Sequence, residues 1–555
     1  MRNKTWLCVS VYFMIPLIVI VAVHYVLDAP SEPFFNNDET RHVMTGVYFH
    51  DALQHGYWRD FIAETKKYYL QYPALGLIVW PPLYYVIEGC WMSVFGIDIQ
   101  IARLLIAFFG FLAAIGLFRI INRYTHWTIG SLSIFLAGLS PLIFTFSRQV
   151  MLELPCLAIL LHALFYFERY LDDRRPIDSW LACILAACAA LTRFDAVVLL
   201  PYFFLRLLLS RNLSLIRSRL VYLPVAAALI LTVPYYAYTW SVYGSTIAKT
   251  VQEGTHEGAT GFLSLHNFLY YPLCVPTQVG WVLTVFSVLG GLLSLIYSTL
   301  RTRCTSIFYA LTISTYATFT PMAELDPRHA IYWIPSLVYF SIQFCRWLVP
   351  QPRLFFLLSF LLIAGTMTHT ILATRIYNLG YTFYTSQYYV RGYEQASKYV
   401  VDNTHQRQLC LMDGFLNGSF IYYVRQHDPQ RRLWVLRGDK ILYSVICEPK
   451  AALSEYARSE QEVLQLIHKY DPEYIVVEEP QLYFSVPAAA LLRDVLHHHP
   501  DKFKLEVRFP IESNQPRFRN ASIEIWRHLD LHQDHDSHIE FEMLNLGRTL
   551  GGTIN

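Results

Sequence analysis

Charge is scarce in this chain. Of its 555 residues only 15% are Asp, Glu, Lys or Arg, where a soluble domain carries about 25%. The net charge is +2, so there is no basic field of the kind that gathers nucleic acid. The ten cysteines include no C-x-x-C pair, which leaves a zinc ribbon or a disulfide framework without support. No G-x-G-x-x-G and no P-loop occurs, so nucleotide binding has no warrant. No internal repeat relates two halves, which argues against an inverted-repeat transporter. What is abundant is apolar, at 54% hydrophobic and 16% aromatic. A soluble chain of that balance could not cover its own surface. A wholly soluble enzyme and a disordered scaffold are therefore both excluded.

The apolar material is uneven. Long apolar runs recur from Trp6 to about Tyr377, and after about Gly380 the sequence turns mixed and charged. This divides the chain into a multi-span helical domain at 1–380 and a soluble extracytoplasmic α/β domain at 381–555, with the boundary near 376–390. A spanning helix needs about 20 apolar residues. Candidates are 6–27, 101–121, 127–147, 154–171, 220–240, 278–300, 304–321, 330–348 and 353–375, with shorter runs at 178–192 and 196–210. The first follows Arg2 and Lys4 and lacks a small-residue cleavage site, so it reads as a retained anchor. Residues 75–95 are apolar but hold Trp80-Pro81-Pro82, and adjacent prolines within a span leave carbonyls without donors.

The positive-inside rule arbitrates. If 75–95 is re-entrant or lies on the surface, the remaining eleven runs place every basic cluster of the short loops on one side. These clusters are Arg2/Lys4, Arg119/Arg123, Arg169/Arg174/Arg175, Arg206/Arg211/Arg217/Arg219, Arg301/Arg303 and Arg346/Arg353. The expected topology has about eleven spans, a cytoplasmic N-terminus and an extracytoplasmic C-terminal domain. It suits a bacterial or archaeal plasma membrane or the endoplasmic reticulum membrane. The outer side then carries the loop 28–100 with its surface helices, the turn 148–153, the loop 241–277 and the turn 322–329.

The chemistry-bearing residues collect on that outer side. Asn37-Asp38-Glu39-Thr40-Arg41 follows the first run, and Asp38 and Glu39 suit the first turn of a helix lying on the membrane. The second outer turn holds Arg148 and Glu153, the fourth Glu324, Asp326, Arg328 and His329, and Arg193 with Asp195 is expected at the same face. Each alone reads as a cap, an interhelical ion pair or a snorkelling charge. Together they predict one site. A carboxylate serves as a general base, and guanidinium groups match phosphate oxygens. In a bilayer that combination suggests transfer from a lipid phosphate. The aromatic loop residues Tyr68, Tyr69, Tyr72, Trp80, Tyr84 and Tyr85 suit sugar stacking or the headgroup level.

The order of these motifs resembles the GT-C membrane glycosyltransferases, in the branch of protein O-mannosyltransferases and the aminoarabinose transferase that modifies lipid A. The resemblance rests on Asp38-Glu39-Thr40-Arg41, then Trp80-Pro81-Pro82-Leu83-Tyr84-Tyr85, Phe95-Gly96, Ala102-Arg103-Leu104, Glu153 after Arg148, and Asp326-Pro327-Arg328-His329-Ala330. It implies a polyprenyl- or dolichyl-phosphate sugar donor, inverting displacement at the anomeric carbon, and Asp38 as the base. Glu39 and Glu153 are the companion acids. Arg41, Arg148 and Arg328 are implied for the donor phosphate, with His329, Tyr84 and Tyr85 as further substrate contacts. No cofactor and no metal are implied, because the lipid-phosphate sugar is itself a substrate. Two positions depart from the pattern. Trp80 stands where Lys or His often precedes Pro-Pro, and His329 where Tyr is common. Both suggest a changed donor pocket or a distant subfamily.

The C-terminal part alternates helical and strand-like patterns. Helices are expected at 392–401, 415–424 and 462–470, strands at 408–412, 433–436 and 474–477, and edge strands at 505–509 and 523–526. The same families often carry an outer C-terminal domain, which suggests acceptor recognition. His497-His498-His499 reads as a helix end. Asn417-Gly418-Ser419 and Asn520-Ala521-Ser522 are glycosylation sequons for a secretory setting, and Cys410 and Cys447 are candidates to pair. Two rival classes remain at this level: a transporter or flippase, which would place ionisable residues at the midplane, and a receptor working through its C-terminal domain alone.

Overall fold

A computed structural model describes residues 34, 37–77, 79–254, 261–375, 389–405, 408–445, 453–482, 486–513, 515–531, 538–543 and 548–553. The first expected span and the boundary residues 376–388 lie outside these, as does Cys447. The first half is a helical bundle. Four of its helices are long and apolar enough to cross a membrane: Ile99–Tyr124, Glu153–Asp173, Arg219–Glu253 and Pro352–Ala373. Shorter apolar helices are Leu83–Phe95, Trp127–Gly138, Pro176–Ala190 and Trp281–Ile296.

Several expected boundaries move for identifiable reasons. The run 127–147 is split into Trp127–Gly138 and Pro141–Phe146, because Pro141 starts a new helix after Ser140. The run 220–240 continues to Glu253, carrying Pro224 and Pro234 inside it, and Leu265–Val279 is helical too. Most of the expected loop 241–277 is therefore helix. Pro81 and Pro82 precede the helix Leu83–Phe95 rather than interrupting it, so residues 75–77 and 79–82 are irregular. One close crossing depends on a missing side chain. A Cβ at Gly290 would overlap the carbonyl oxygen of Phe340, so the helices Trp281–Ile296 and Ile334–Leu348 meet backbone to backbone.

At one end of the bundle the loop arginines are paired. Glu168 receives Arg206 Nε and Nη2 at 2.6 Å each and the Tyr202 hydroxyl at 2.9 Å. Asp172 holds Arg123 at 3.1 Å and also meets Arg303. These arginines do not face water alone; they tie helix ends together.

The C-terminal part is an α/β layer. Its five-stranded sheet runs in the order Trp434–Arg437, Leu409–Asp413, Tyr474–Glu479, Ser522–His528, Phe503–Pro510. The first three strands are parallel and the last two pair antiparallel. The strand Ser522–His528 is thus interior, not the expected edge. Its pattern of buried Ile523, Ile525 and Trp526 accounts for that place. The helices Tyr393–Asn403, Asn417–His427 and Glu460–Tyr470 fall where the periodicity predicts them. The helix Pro487–His498 ends in the histidine run, where His498 Nδ1 lies 3.0 Å from Glu460. Cys410 is buried within its strand. Asn417 and Ser419 are buried, which closes that sequon in the folded chain.

Candidate active site

The site begins with the helix Asn37–His55, whose first turn carries Asp38 and Glu39. The two acids have different fates. Glu39 is wholly buried. Its Oε1 accepts Arg103 Nε and Nη2 at 3.3 Å each and the Val150 amide at 3.0 Å. It therefore joins this helix to the start of Ile99–Tyr124 and to the turn before Glu153. Asp38 stays 31% exposed. Its carboxylate meets Arg328 Nη1 at 3.4 Å and Arg41 Nη1 at 3.9 Å. Burial pushes its pKa up, but Arg328 and Arg41 outweigh that and hold it below the usual carboxylate value.

From Asp38 a chain of charges runs inward. Arg328 also lies 3.0 Å from Asp326 and 3.8 Å from Glu153. Glu153 opens the helix Glu153–Asp173, is fully buried, and meets Arg193 Nη1 at 3.0 Å. Arg193 Nε donates to Asp195 at 2.6 Å, and His329 Nδ1 lies 3.1 Å from the same Asp195 oxygen. Residues far apart in sequence are thus brought into one network: 38, 41, 153, 193, 195, 326, 328 and 329. Buried charges of this kind persist only when paired, and here each acid faces a guanidinium.

The structure encloses four of the expected residues. Glu39 and Glu153 are buried and ion-paired, Glu39 to Arg103 and Glu153 to Arg193 and Arg328. Tyr84 and Tyr85 are both fully buried, so neither offers a ring face to a sugar. The Tyr84 hydroxyl points to Glu88 at 3.4 Å, and the Tyr85 hydroxyl lies 2.7 Å from His42 Nδ1. His42 is a site residue that sequence reasoning missed. Its signal was its spacing: it lies one turn past Asp38 on the same helical face. Trp80 packs edge-on against it, with ring centroids 4.7 Å apart. Burial, with Arg193, Arg328 and Arg41 nearby, pushes the His42 imidazole down to about 3 despite Asp38, so it is neutral at physiological pH.

Arg148 occupies a separate place. Its guanidinium lies over the Phe144 ring at 5.6 Å and, with Arg103, Gln100 and Ser147, lines one end of a cavity of about 410 Å³. The rest of that lining is apolar: Leu104, Ala107, Gly110, Leu117, Leu157 and Leu161 are representative. Positions 103 to 117 on one helix give this groove a length of roughly 21 Å at 1.5 Å per residue. Arg103 links the two features, since it lines the groove and holds Glu39 beside Asp38. Among the described residues no cluster of three or more His, Cys, Asp or Glu side chains is arranged to hold a metal.

Residues 79–238 match the family of dolichyl-phosphate-mannose-protein mannosyltransferases. No curated protein matches the chain in sequence. Among solved structures, ArnT from Cupriavidus metallidurans bound to undecaprenyl phosphate is similar with a TM-score of 0.57 and 13% identity, over 94% of this chain and 99% of that one. The Archaeoglobus fulgidus oligosaccharyltransferase in its apo form is a more distant likeness, with a TM-score of 0.49 and 11% identity over 84% of this chain and 69% of that one. The fold is therefore that of the GT-C glycosyltransferases, as the motif order predicted.

Proposed function

We propose that this protein transfers a sugar from a polyprenyl-phosphate donor to an acceptor at the non-cytoplasmic face of a membrane, with inversion. The observation that carries the reading is the adjacency of two features. A half-open Asp38–Arg328 pair sits beside an apolar groove whose mouth holds Arg103 and Arg148. The groove suits a prenyl tail, and its basic mouth suits the phosphate. The likeness to a protein that binds undecaprenyl phosphate supports the donor class. The transferred unit is a hexose or a pentose, and the match to a mannosyltransferase family favours the hexose.

The chemistry follows from the geometry. An acceptor hydroxyl or amine is held against the Asp38 carboxylate, which takes its proton as the new bond forms at the anomeric carbon. The bond from that carbon to the phosphate oxygen breaks with its electron pair, and polyprenyl phosphate leaves with the added negative charge. Arg328 and Arg148 neutralise that charge, and no dissociable cofactor is required for the step. Arg41 flanks Asp38 from the same helix. Glu153 fixes Arg193 and Arg328, and Glu39 fixes Arg103.

The full reading also keeps about eleven spans, a cytoplasmic N-terminus and an extracytoplasmic C-terminal domain. The acceptor is a lipid, a glycan or a protein. A transporter or flippase is not favoured, because these charges cluster where the outer loops meet the bundle rather than at mid-helix. The test is donor consumption by the purified full chain. Radiolabelled undecaprenyl-phosphate sugars are offered with membrane extract as acceptor source, and Arg148→Ala is run beside the native chain. Release of undecaprenyl phosphate with a labelled product supports the reading. Failure to consume any such donor refutes it.

A further inference from the structure

The carboxyl ends of the parallel strands Leu409–Asp413, Trp434–Arg437 and Tyr474–Glu479 share one edge of the sheet. In open α/β sheets that edge is where ligands bind. Here it is docked against the start of the helix Asn37–His55. Asn37 Nδ2 donates to the Phe415 carbonyl at 2.6 Å, two residues past the first of these strands. Arg437, the last residue of the second, donates from Nη1 to the Pro73 carbonyl at 2.6 Å. A Cβ at Gly418 would overlap the Thr40 hydroxyl. The far end of the helix is fixed by Asp51, which accepts Arg425 at 2.7 and 3.0 Å.

Three cations line this seam: Arg41, Arg437 and Lys440. Arg437 is committed, because its Nε donates to Asp439 at 2.8 Å and its Nη2 meets the same carboxylate. Lys440 is not. It is half-buried, and among the described residues its ammonium has no hydrogen bond or ion pair. Burial depresses it to about 8, and Arg437 and Arg41 add to that against Asp439. Tyr69, also half-buried, lies within the field of Arg437, Arg41 and Asp439. Asp413 does not serve as a partner for Lys440, since Arg493 at 2.8 Å and the Tyr443 hydroxyl at 3.1 Å already occupy it. Asp439 is matched by Arg437 and Arg41 is shared with Asp38 at 3.9 Å, so the Lys440 charge is left without a counterion in a partly dry seam. Such a group is stabilised by an anion that brings hydrogen-bond acceptors.

We propose that this seam is the acceptor subsite, and that the acceptor carries an oxyanion, phosphate or carboxylate, held between Lys440 and Arg41. The proposal rests on the glycosyl-transfer reading of Asp38. Arg41 lies one turn along the helix from Asp38, so an anion on Arg41 sets a neighbouring hydroxyl about 5 Å away, at the carboxylate that takes its proton. The C-terminal domain thereby selects the acceptor, while the bundle binds the donor.

The test is site-specific protection of the full-length protein in nanodiscs. Lys440 is acylated with an amine reagent and read by mass spectrometry, with the exposed Lys66 as internal reference. Pyrophosphate and glucuronate are the soluble probes, and discs with phosphatidic acid are compared with discs of phosphatidylcholine alone. A saturating oxyanion slows Lys440 acylation about tenfold and leaves Lys66 unchanged. Arg41→Ala raises the concentration for half-protection about tenfold, the loss of one charge-assisted contact. Protection by phosphatidic acid alone identifies a lipid-borne anion, and protection by a soluble probe an anion on a free glycan. No protection by any probe, or equal protection of Lys66, overturns the proposal. The two readings fail separately: a chain that protects Lys440 yet consumes no donor refutes glycosyl transfer, and one that consumes donor without protection refutes the subsite.

Discussion

Arg425→Ala removes the clamp between the helix Asn417–His427 and the helix Asn37–His55. In the native chain Arg425 donates two bonds to Asp51, at 2.7 and 3.0 Å, with side chains 7% and 0% exposed. Truncating one partner of a buried pair costs about 3–5 kcal/mol, because the other charge stays buried. Asp51 is not abandoned, since the Tyr68 hydroxyl remains at 2.8 Å and Arg431 at 4.0 Å. The cost is therefore placed at the low end, about 3 kcal/mol, a roughly hundredfold rise in the open population. Hydrogen exchange of the amides in Asn37–His55 and Asn417–His427 measures that opening directly. Asp51→Ala with Arg425→Ala completes a double-mutant cycle. The expected coupling exceeds about 1 kcal/mol, and the double variant is less destabilised than the sum of the singles. Additivity within about 0.5 kcal/mol, or unchanged exchange in the Asp38 helix, would refute the reasoning.

Other outcomes follow from the same geometry. Asp38 is held ionised by Arg328 and Arg41, so activity persists as pH falls until it reaches the depressed Asp38 pKa. Arg328→Gln leaves burial to raise that pKa, and the acid limb of the kcat/KM profile moves to higher pH; an unmoved limb separates Arg328 from Asp38. Arg148→Ala weakens undecaprenyl phosphate binding about 10- to 100-fold, read by titration, if one charged hydrogen bond is lost. Gly290→Ala drives a Cβ into the Phe340 carbonyl and lowers the melting temperature, whereas Gly291→Ala, open to space, does not. Chelation by EDTA leaves turnover unchanged, because arginines neutralise the leaving phosphate; loss of turnover restored by a divalent ion would contradict that.

Much of the architecture was legible because hydropathy and period carry it. Helices such as 153–173 and strands such as 409–413 stand where apolar spacing places them. Legibility ended where proline acts by position. Pro141 starts a second helix and so splits the expected run 127–147, Pro82 precedes a helix, and Pro224 and Pro234 are absorbed within a long one. The site was legible as a list of charged residues near helix ends and turns, since a poorly charged chain leaves few candidates. Their division of labour was not. Asp38 and Glu39 are adjacent in sequence, yet one faces an opening and the other is sealed against Arg103 and Val150. That difference depends on helix rotation and on partners 64 and 111 residues away. The burial of Tyr84 and Tyr85 was hidden for the same reason, and so was the seam around Lys440, which exists only where the helix Asn37–His55 meets the C-terminal sheet.

The central claim is that Asp38 is the base of a glycosyl transfer. The direct measurement compares native chain and Asp38→Asn for two quantities, undecaprenyl phosphate binding and turnover of an undecaprenyl-phosphate sugar. Asn keeps the volume and the Arg328 contact but cannot take a proton. The account predicts near-native binding with turnover lowered about 10²- to 10⁴-fold. Native turnover in a folded Asp38→Asn chain would contradict it.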